Sequence, residues 1–212
     1  MNDFILDPSQ IESESMRHIR AGLTRPWTGA DIPVVERIIH TSGDPSLERD
    51  IAIHPEAIAC GLKALQEGAD VITDVEMVRA GISKLKLKSL GGTVECFLNS
   101  PEVAEQAKAW GITRSMTAFR LHPERLRGSI VAIGNAPTAL IEVLRLAENP
   151  ETRPALIVGI PVGFIGAKES KDLLWEHQEF PSITVLGTRG GSPLAATVVN
   201  ALIYTVLRQR NK

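Results

Sequence analysis

Short apolar runs alternate with amphipathic stretches along most of the chain, a pattern typical of strands covered by helices. The clearest example is the stretch SIVAIGNAPTALIEVLRLA. Its first part, Ser129–Ile133, is rich in β-branched residues and predicts a strand buried on both faces. The dipeptide Gly134-Asn135 favours a tight turn, and Thr138–Ala147 carries apolar residues at helical spacing. The stretch therefore predicts one strand–turn–helix unit.

Four further apolar runs have the same character. They are Ala69–Thr73, Thr93–Phe97, Ala155–Ile160 and Ile183–Leu186. Five strands separated by helices predict a parallel sheet with right-handed crossovers and helices on both faces. We expect a single α/β domain over residues 1–212, mainly helical in residues 1–68 and alternating between strand and helix in residues 69–212.

Helices are predicted at both ends of the chain. A helix over Pro8–Ala21 is expected because Asp7 is a good N-cap and Gly22 a good stop. A second helix over Ile32–Ile39 runs into the stop signal HTSGDP. The last helix, Pro193–Leu207, is apolar nearly all round. It is therefore expected either to be deeply packed or to lie at a subunit interface.

Glycine-rich turns follow the last three predicted strands. A parallel strand that turns sharply into a helix aims free backbone N–H groups at the crevice where open α/β sheets bind ligands. Three such turns favour a site for an anionic or polar ligand, while the alternative is that glycine and proline only punctuate the fold. Asp74 follows the first strand at the same edge, and it is also a suitable cap for the next helix.

Composition narrows the class of protein. A chain of 212 residues can bury a substantial core without a metal or a disulfide. The formal net charge of −2 argues against a nucleic-acid partner, and no apolar run is long enough for a membrane span. The expected location is the cytoplasm.

Cys60 and Cys96 form no CxxC motif and no zinc spacing, so both are expected to be buried, structural free thiols within a helix and a strand.

Candidate chemistry is sparse in this sequence. The phosphate-loop, dinucleotide, GxSxG and HExxH motifs are all absent. Arg37 and His40 lie three residues apart at a helix end, which suits proton transfer to a carboxylate-bearing substrate, although the helix dipole alone also favours a cation there. Arg114 is predicted near a helix N-terminus, where the dipole disfavours a cation, so it is either solvated or held for an anion.

Several segments carry a resemblance to a known family. They are IESESMRHI, VVERIIHTSGD, DVITDVEMV, GITRS, SIVAIGNAPTAL, PVGFIGAKESKD and GTRGGSPLAA. They span nearly the whole chain in order, and GNAPTAL together with PVGFIGAKESK is highly specific. On these segments the sequence resembles the precorrin-8X methylmutases, also called precorrin isomerases, and the related cobalt-precorrin-8 methylmutases.

The resemblance implies a fold and an activity. The fold of the family is flavodoxin-like, a three-layer α/β/α arrangement with five parallel strands in the order 2-1-3-4-5. Its reaction is a step of cobalamin (vitamin B12) biosynthesis. A methyl group moves from C-11 to C-12 of precorrin-8X by a 1,5-sigmatropic shift, which gives hydrogenobyrinate. The substrate is a polycarboxylate tetrapyrrole. The resemblance implies a homodimer, with no cofactor, no protein-bound metal, and no nucleic-acid or membrane partner.

The resemblance also implies roles for individual residues. His40, in RIIHTSGD, matches the family's acid/base histidine. Ser15 and Arg37 match substrate-contacting positions, and Arg114 matches an arginine near the bound macrocycle. The chain departs from the family's pattern at Met16, where phenylalanine is frequent, and in the segment GTRGGS. Both departures concern peripheral contacts with the substrate.

Two alternative functions remain open at this point. The same shift could act on cobalt-precorrin-8 and give cobyrinate, because a metal held by the macrocycle needs no protein ligand. A tetrapyrrole-binding carrier without turnover is the other alternative. The presence of His40 together with Arg37 argues against the carrier.

Overall fold

A six-stranded sheet forms the centre of the protein. The computed structural model describes residues 5–210. Its strands are β1 (Ile51–Ile53), β2 (Val71–Thr73), β3 (Val94–Glu95), β4 (Ile130–Ile133), β5 (Leu156–Gly159) and β6 (Ser182–Val185). Its α-helices are α1 (Pro8–Ala21), α2 (Ile32–Ser42), α3 (Ala57–Gln66), α4 (Glu76–Gly81), α5 (Lys84–Ser89), α6 (Pro101–Trp110), α7 (Arg114–Leu121), α8 (Pro137–Ala147), α9 (Ala167–Glu176) and α10 (Ser192–Arg210).

The strands lie in the order β1-β6-β5-β4-β2-β3. Strands β2 to β6 pair in parallel, and β1 pairs with β6 antiparallel. The prediction of five strands, all parallel, is therefore wrong by one strand. A run as short as Ile51–Ile53 has no readable period in the sequence, and it becomes a strand only because it aligns with Ile183–Val185 at the sheet edge. The mainly helical part, 1–68, thus also contributes to the sheet.

Helices cover both faces of the sheet. Ile130 and Ala132 join the apolar cluster that includes α2, α3 and α10, whereas Val131 and Ile133 join the cluster that includes α7, α8 and α9. All four side chains are fully buried, which confirms the prediction of a strand buried on both faces. The sheet is thus the middle layer of a mixed α/β fold.

Capping residues set the helix limits. The Asp7 carboxylate accepts the Gln10 N–H at 2.8 Å, so α1 begins where the sequence predicts. The helix ends at Ala21, before its C-cap Gly22. Helix α2 continues three residues beyond the predicted end at Ile39, because its stop is Gly43, which lies in the left-handed region with φ 65°. His40 therefore lies inside the last turn of α2.

The C-terminal helix α10 is packed inside the chain. Ten of its 19 residues are buried, and it packs against α2, α3 and α4. Of the two interpretations of its apolar sequence, deep packing is confirmed. A membrane-spanning segment is not found among the helices in the described range, since none is both long and apolar enough.

Candidate active site

His40 lines a cavity between α1 and the C-terminal end of α2. The cavity has a volume of about 580 Å³, within the usual range for small-molecule sites. Ser15 and His18 of α1 line it together with His40. The structure therefore brings together two residues that the sequence marked separately, Ser15 and His40.

Two ion pairs fasten α1 to α2, and both lie outside this cavity. The Arg20 guanidinium donates to both carboxylate oxygens of Glu36, at 2.5 and 3.1 Å, and the Glu36 side chain is buried. Arg37 donates to the Glu12 carboxylate. No residue of α1 is fully buried. The helix is therefore positioned largely by these pairs and by the partly buried Ile19.

The His40 imidazole is exposed, and no hydrogen bond to its ring is found within residues 5–210. Its backbone is nevertheless fixed, because the Gly43 N–H caps the carbonyl of Ile39 at 2.9 Å. An imidazole whose backbone is fixed and whose ring nitrogens have no partner in the described residues can exchange a proton with a bound molecule.

Ser15 contributes an acceptor to the cavity. Its hydroxyl donates to the backbone carbonyl of Ile11, one turn earlier on α1, at 2.7 Å. The hydroxyl proton is engaged in that hydrogen bond, but the lone pairs of the hydroxyl oxygen remain available to a donor. In this conformation Ser15 can therefore accept a hydrogen bond from a ligand.

Arg37 lies in a different groove from His40. Its guanidinium pairs with Glu12 and lies 5.9 Å from the centre of the Tyr204 ring. That groove has a volume of about 510 Å³ and also contains Lys86 and Arg208. Two side chains that are three residues apart on an α-helix point in directions about 60° apart around the helix axis. Neighbouring helices can therefore separate them into two clefts. The substrate-binding role of Arg37 stays a prediction.

Arg114 is the first residue of α7, as the sequence predicts. Its guanidinium donates to the Asn99 side-chain oxygen at 2.9 Å and weakly to the Leu98 carbonyl. The hydroxyls of Thr113 and Thr138 lie 2.7 Å apart and join the N-terminal ends of α7 and α8 beside the carboxyl end of β4. In the part of the chain that the structure describes, Arg114 has no carboxylate partner. Its role towards a ligand also stays a prediction.

The turn between β4 and α8 is closed by the buried carboxyl group of Asp74. The Asp74 carboxylate accepts the backbone N–H groups of Gly134, Asn135 and Ala136 at 3.0, 2.8 and 2.8 Å. Burial raises the pKa of Asp74, against the lowering effect of these three donors. The expectation that this turn offers free N–H groups to a ligand is wrong, and the alternative that Asp74 caps α4 is not observed either.

The turns after β5 and β6 are joined to each other by backbone hydrogen bonds. Gly163 N–H donates to the Thr188 carbonyl at 3.1 Å, and Gly191 N–H donates to the Ile160 carbonyl at 2.9 Å. The Arg189 guanidinium pairs with Asp44 in the turn that follows α2. These bonds tie the carboxyl ends of two strands to the segment that follows His40. At least two of the glycine-rich turns thus serve the fold.

Lys171 is a buried residue that the sequence analysis missed. It is fully buried on α9, and its ammonium group donates to the Arg189 carbonyl at 2.7 Å. Burial lowers the pKa of Lys171 from 10.5 to about 8. The one signal in the sequence is its helical spacing from Ala167 and Leu174, which are both buried on the same side of α9.

Both cysteines are free thiols, but each is only partly buried. Cys60 lies inside α3, as predicted. Cys96 follows β3 instead of lying within a strand, because the pairing of β3 with β2 ends at Glu95. Burial raises the pKa of both thiols, which disfavours the nucleophilic thiolate. Within the described range, no cluster of three histidine, cysteine or carboxylate side chains could hold a metal ion.

Comparison with known proteins gives one consistent family. The family model described as precorrin-8X methylmutase matches residues 10–205. A cobalt-precorrin-8 methylmutase of Priestia megaterium is 39% identical over 93% of this chain and 88% of its own length. A precorrin-8X methylmutase of Pseudomonas aeruginosa is 40% identical over 95% and 98%. The crystal structure of a precorrin-8X methylmutase from Thermus thermophilus has a TM-score of 0.83 and 32% identity, covering 94% of this chain and 98% of that one.

Proposed function

This chain belongs to the precorrin-8X methylmutase family, the isomerases of cobalamin biosynthesis, and we propose that His40 is the acid/base residue of its methyl shift. The observation that carries the proposal is the position of His40 in the cavity between α1 and α2, with its ring open to a ligand. We take precorrin-8X as the substrate and hydrogenobyrinate as the product.

The proposed mechanism is an acid-assisted rearrangement. The His40 imidazolium protonates the macrocycle and thereby raises its electron demand. The methyl group leaves C-11 and bonds to C-12 within the same molecule, and the neutral imidazole then takes a proton back. Substrate and product are isomers, so no oxidant, reductant or co-substrate is consumed. The carboxylates of the substrate are held by other side chains, for which Ser15, Arg37 and Arg114 are our candidates.

The decisive variant is His40→Ala, with His177→Ala as the matched control. His177 lies at the end of α9, outside the His40 cavity. We expect turnover of precorrin-8X by His40→Ala, followed by visible absorption, to fall by roughly 10²–10⁴-fold, while hydrogenobyrinate binding persists. Near-normal turnover would overturn the acid/base role. Joint loss of turnover, binding and fold would make His40 a structural cap.

Cobalt-precorrin-8 is the second candidate substrate. Relatives named for the cobalt-loaded and the metal-free substrate match this chain at 39% and 40% identity, so similarity does not separate the two. The experiment is incubation of the wild-type protein with each substrate in parallel. Conversion of precorrin-8X at the higher kcat/KM would support the proposed substrate, and preference for cobalt-precorrin-8 would replace it.

We also propose that the protein is a homodimer. Phe164 and Ile165, on the loop after β5, are each 93% exposed, and such a pair of apolar side chains is costly to leave in water. The test is sedimentation of the wild-type protein and of a Phe164→Ser/Ile165→Ser variant. We expect a dimer for the first and a shift towards monomer for the second. A wild-type monomer at all concentrations would refute the dimer.

Two finer assignments complete the proposal. A flavodoxin-like fold is supported by the parallel pairing of β2 to β6. A cytoplasmic location is supported by the free state of Cys60 and Cys96, since thiols persist in reducing compartments.

A further inference from the structure

His18 is the second imidazole of the His40 cavity. It lies three residues after Ser15, one turn along α1, so both face the same side of the helix. Ser15, His18 and His40 thus line one cavity from two helices. Neither the fold nor the proposed proton transfer assigns a task to His18.

The charged side chains of this cavity leave the His18 ring available for a ligand. Four charged or titratable side chains line the cavity: Glu14, Arg17, His18 and His40. Glu14 and Arg17 are paired with each other, with a second contact from Arg17 Nε at 3.2 Å. The two imidazoles therefore remain for a ligand, and the one carboxylate of the described cavity wall, Glu14, is paired with Arg17.

A structural role does not account for His18. The end of α1 is capped by the Gly22 N–H, which bonds the carbonyls of Ile19 and Arg20. Arg20 supplies the cation near the helix end and also anchors α1 to Glu36. The His18 ring makes no hydrogen bond within residues 5–210. Its removal should therefore leave the helix in place.

We propose that His18 is a positioning residue that donates a hydrogen bond to a peripheral carboxylate of the tetrapyrrole and so holds the macrocycle against His40. This inference rests on the proposed function. A polycarboxylate substrate needs donors around its rim, and an imidazole next to the acid/base residue fixes the ring's orientation. His18 acts through binding, and His40 acts on the reacting atoms.

The test compares His18→Leu, His18→Gln and the control His177→Leu. Folding is checked by circular dichroism, which should not change because no residue of α1 is fully buried. We expect His18→Leu to raise KM for precorrin-8X and Kd for hydrogenobyrinate roughly tenfold, the effect of one charge-assisted hydrogen bond, with kcat within about threefold. His18→Gln, which keeps a donor, should recover part of the loss.

Three results would overturn the inference. They are an unchanged KM and Kd in His18→Leu, an equal loss in His177→Leu, and a loss of kcat without any change of KM. Failure of the proposed function looks different, because the wild-type protein would then not convert precorrin-8X at all. The hydrogenobyrinate titration does not depend on turnover, so it tests His18 in either case.

Discussion

The Asp74 carboxylate accepts the Asn135 backbone N–H at 2.8 Å across 61 positions of sequence. Two neighbouring N–H groups donate to the same side chain, so the β4–α8 turn is built around a buried carboxyl group from the end of β2. Gly134 is required here as well, because a Cβ at this position would lie 2.6 Å from Ser192 Cα. The turn is thereby fixed against the start of α10.

Removal of this buried carboxyl group should destabilise the protein. Asp74→Ala leaves the N–H groups of a mostly buried turn without partners, and we expect the free energy of unfolding to fall by about 2–5 kcal/mol. The matched control is Asp172→Asn on α9, where a surface pair with Lys168 is lost and the change should stay below about 0.5 kcal/mol. Urea denaturation measures both, and equal effects would contradict the role of Asp74.

Lys171 should make the stability of the protein depend on pH. Its pKa is about 8 in the folded state and 10.5 when it is solvated. Between these values the unfolded chain binds more protons than the folded chain. The free energy of unfolding should therefore rise with pH across this window, by roughly 2–4 kcal/mol in total from this group.

Lys171→Met should lack this rise, whereas the exposed lysine variant Lys63→Met should keep it. The measurement is the urea midpoint of each protein at several values between about pH 7.5 and 10.5. Because other groups titrate equally in all three proteins, only the difference between the curves reports on Lys171. Parallel curves for Lys171→Met and wild type would refute the prediction.

The Arg20–Glu36 pair should be worth more than an ordinary surface ion pair. Glu36 is buried and loses both donors in Arg20→Ala, although Arg20 is mostly exposed and solvent weakens the interaction. We expect a coupling free energy of about 1–2 kcal/mol in a double-mutant cycle with Glu36→Ala. Additive effects of the two substitutions would show that the pair does not hold α1.

Arg114→Leu should weaken binding of hydrogenobyrinate roughly tenfold, because a carboxylate of the ligand loses a charged donor. The wild-type affinity should also fall with salt more steeply than that of the variant. Arg127→Leu is the control, since Arg127 pairs with Glu151 on the surface next to the amino end of β4. An unchanged affinity in Arg114→Leu would place this side chain outside the binding site.

Cysteine chemistry should not contribute to turnover. Burial raises the pKa of Cys60 and Cys96, so neither thiol is an activated nucleophile. The double variant Cys60→Ala/Cys96→Ala should convert substrate within a few-fold of the wild-type rate. A folded double variant without activity would reveal a thiol role, most plainly for Cys96, which lies beside the carboxyl end of β3.

The five parallel strands follow from the sequence because each is an apolar, β-branched run between turn residues. Their predicted limits agree with β2 to β6 to within about two residues. The predicted limits of helix α1 agree with the structure, since Asp7 and Gly22 act locally. Patterns of this kind are encoded within a few residues of the chain, so they can be read without tertiary structure.

The candidate site was predicted only in part. Ser15 and His40 were marked by resemblance and share one cavity in the structure. Their neighbour His18 was not marked, because only the packing of α1 on α2 decides which side chains line the space between them. For the same reason Arg37, so near His40 in sequence, faces a separate groove.

Tertiary structure alone decided where backbone donors and buried charges find their partners. The sequence shows a glycine-rich turn at Gly134, but whether its N–H groups face a ligand or Asp74 depends on a strand 60 positions earlier. Likewise, the burial of Lys171 depends on the approach of Arg189. Hydrophobic periodicity is a local property of the chain, whereas the satisfaction of a polar group is settled by whatever the fold brings within about 3 Å of it.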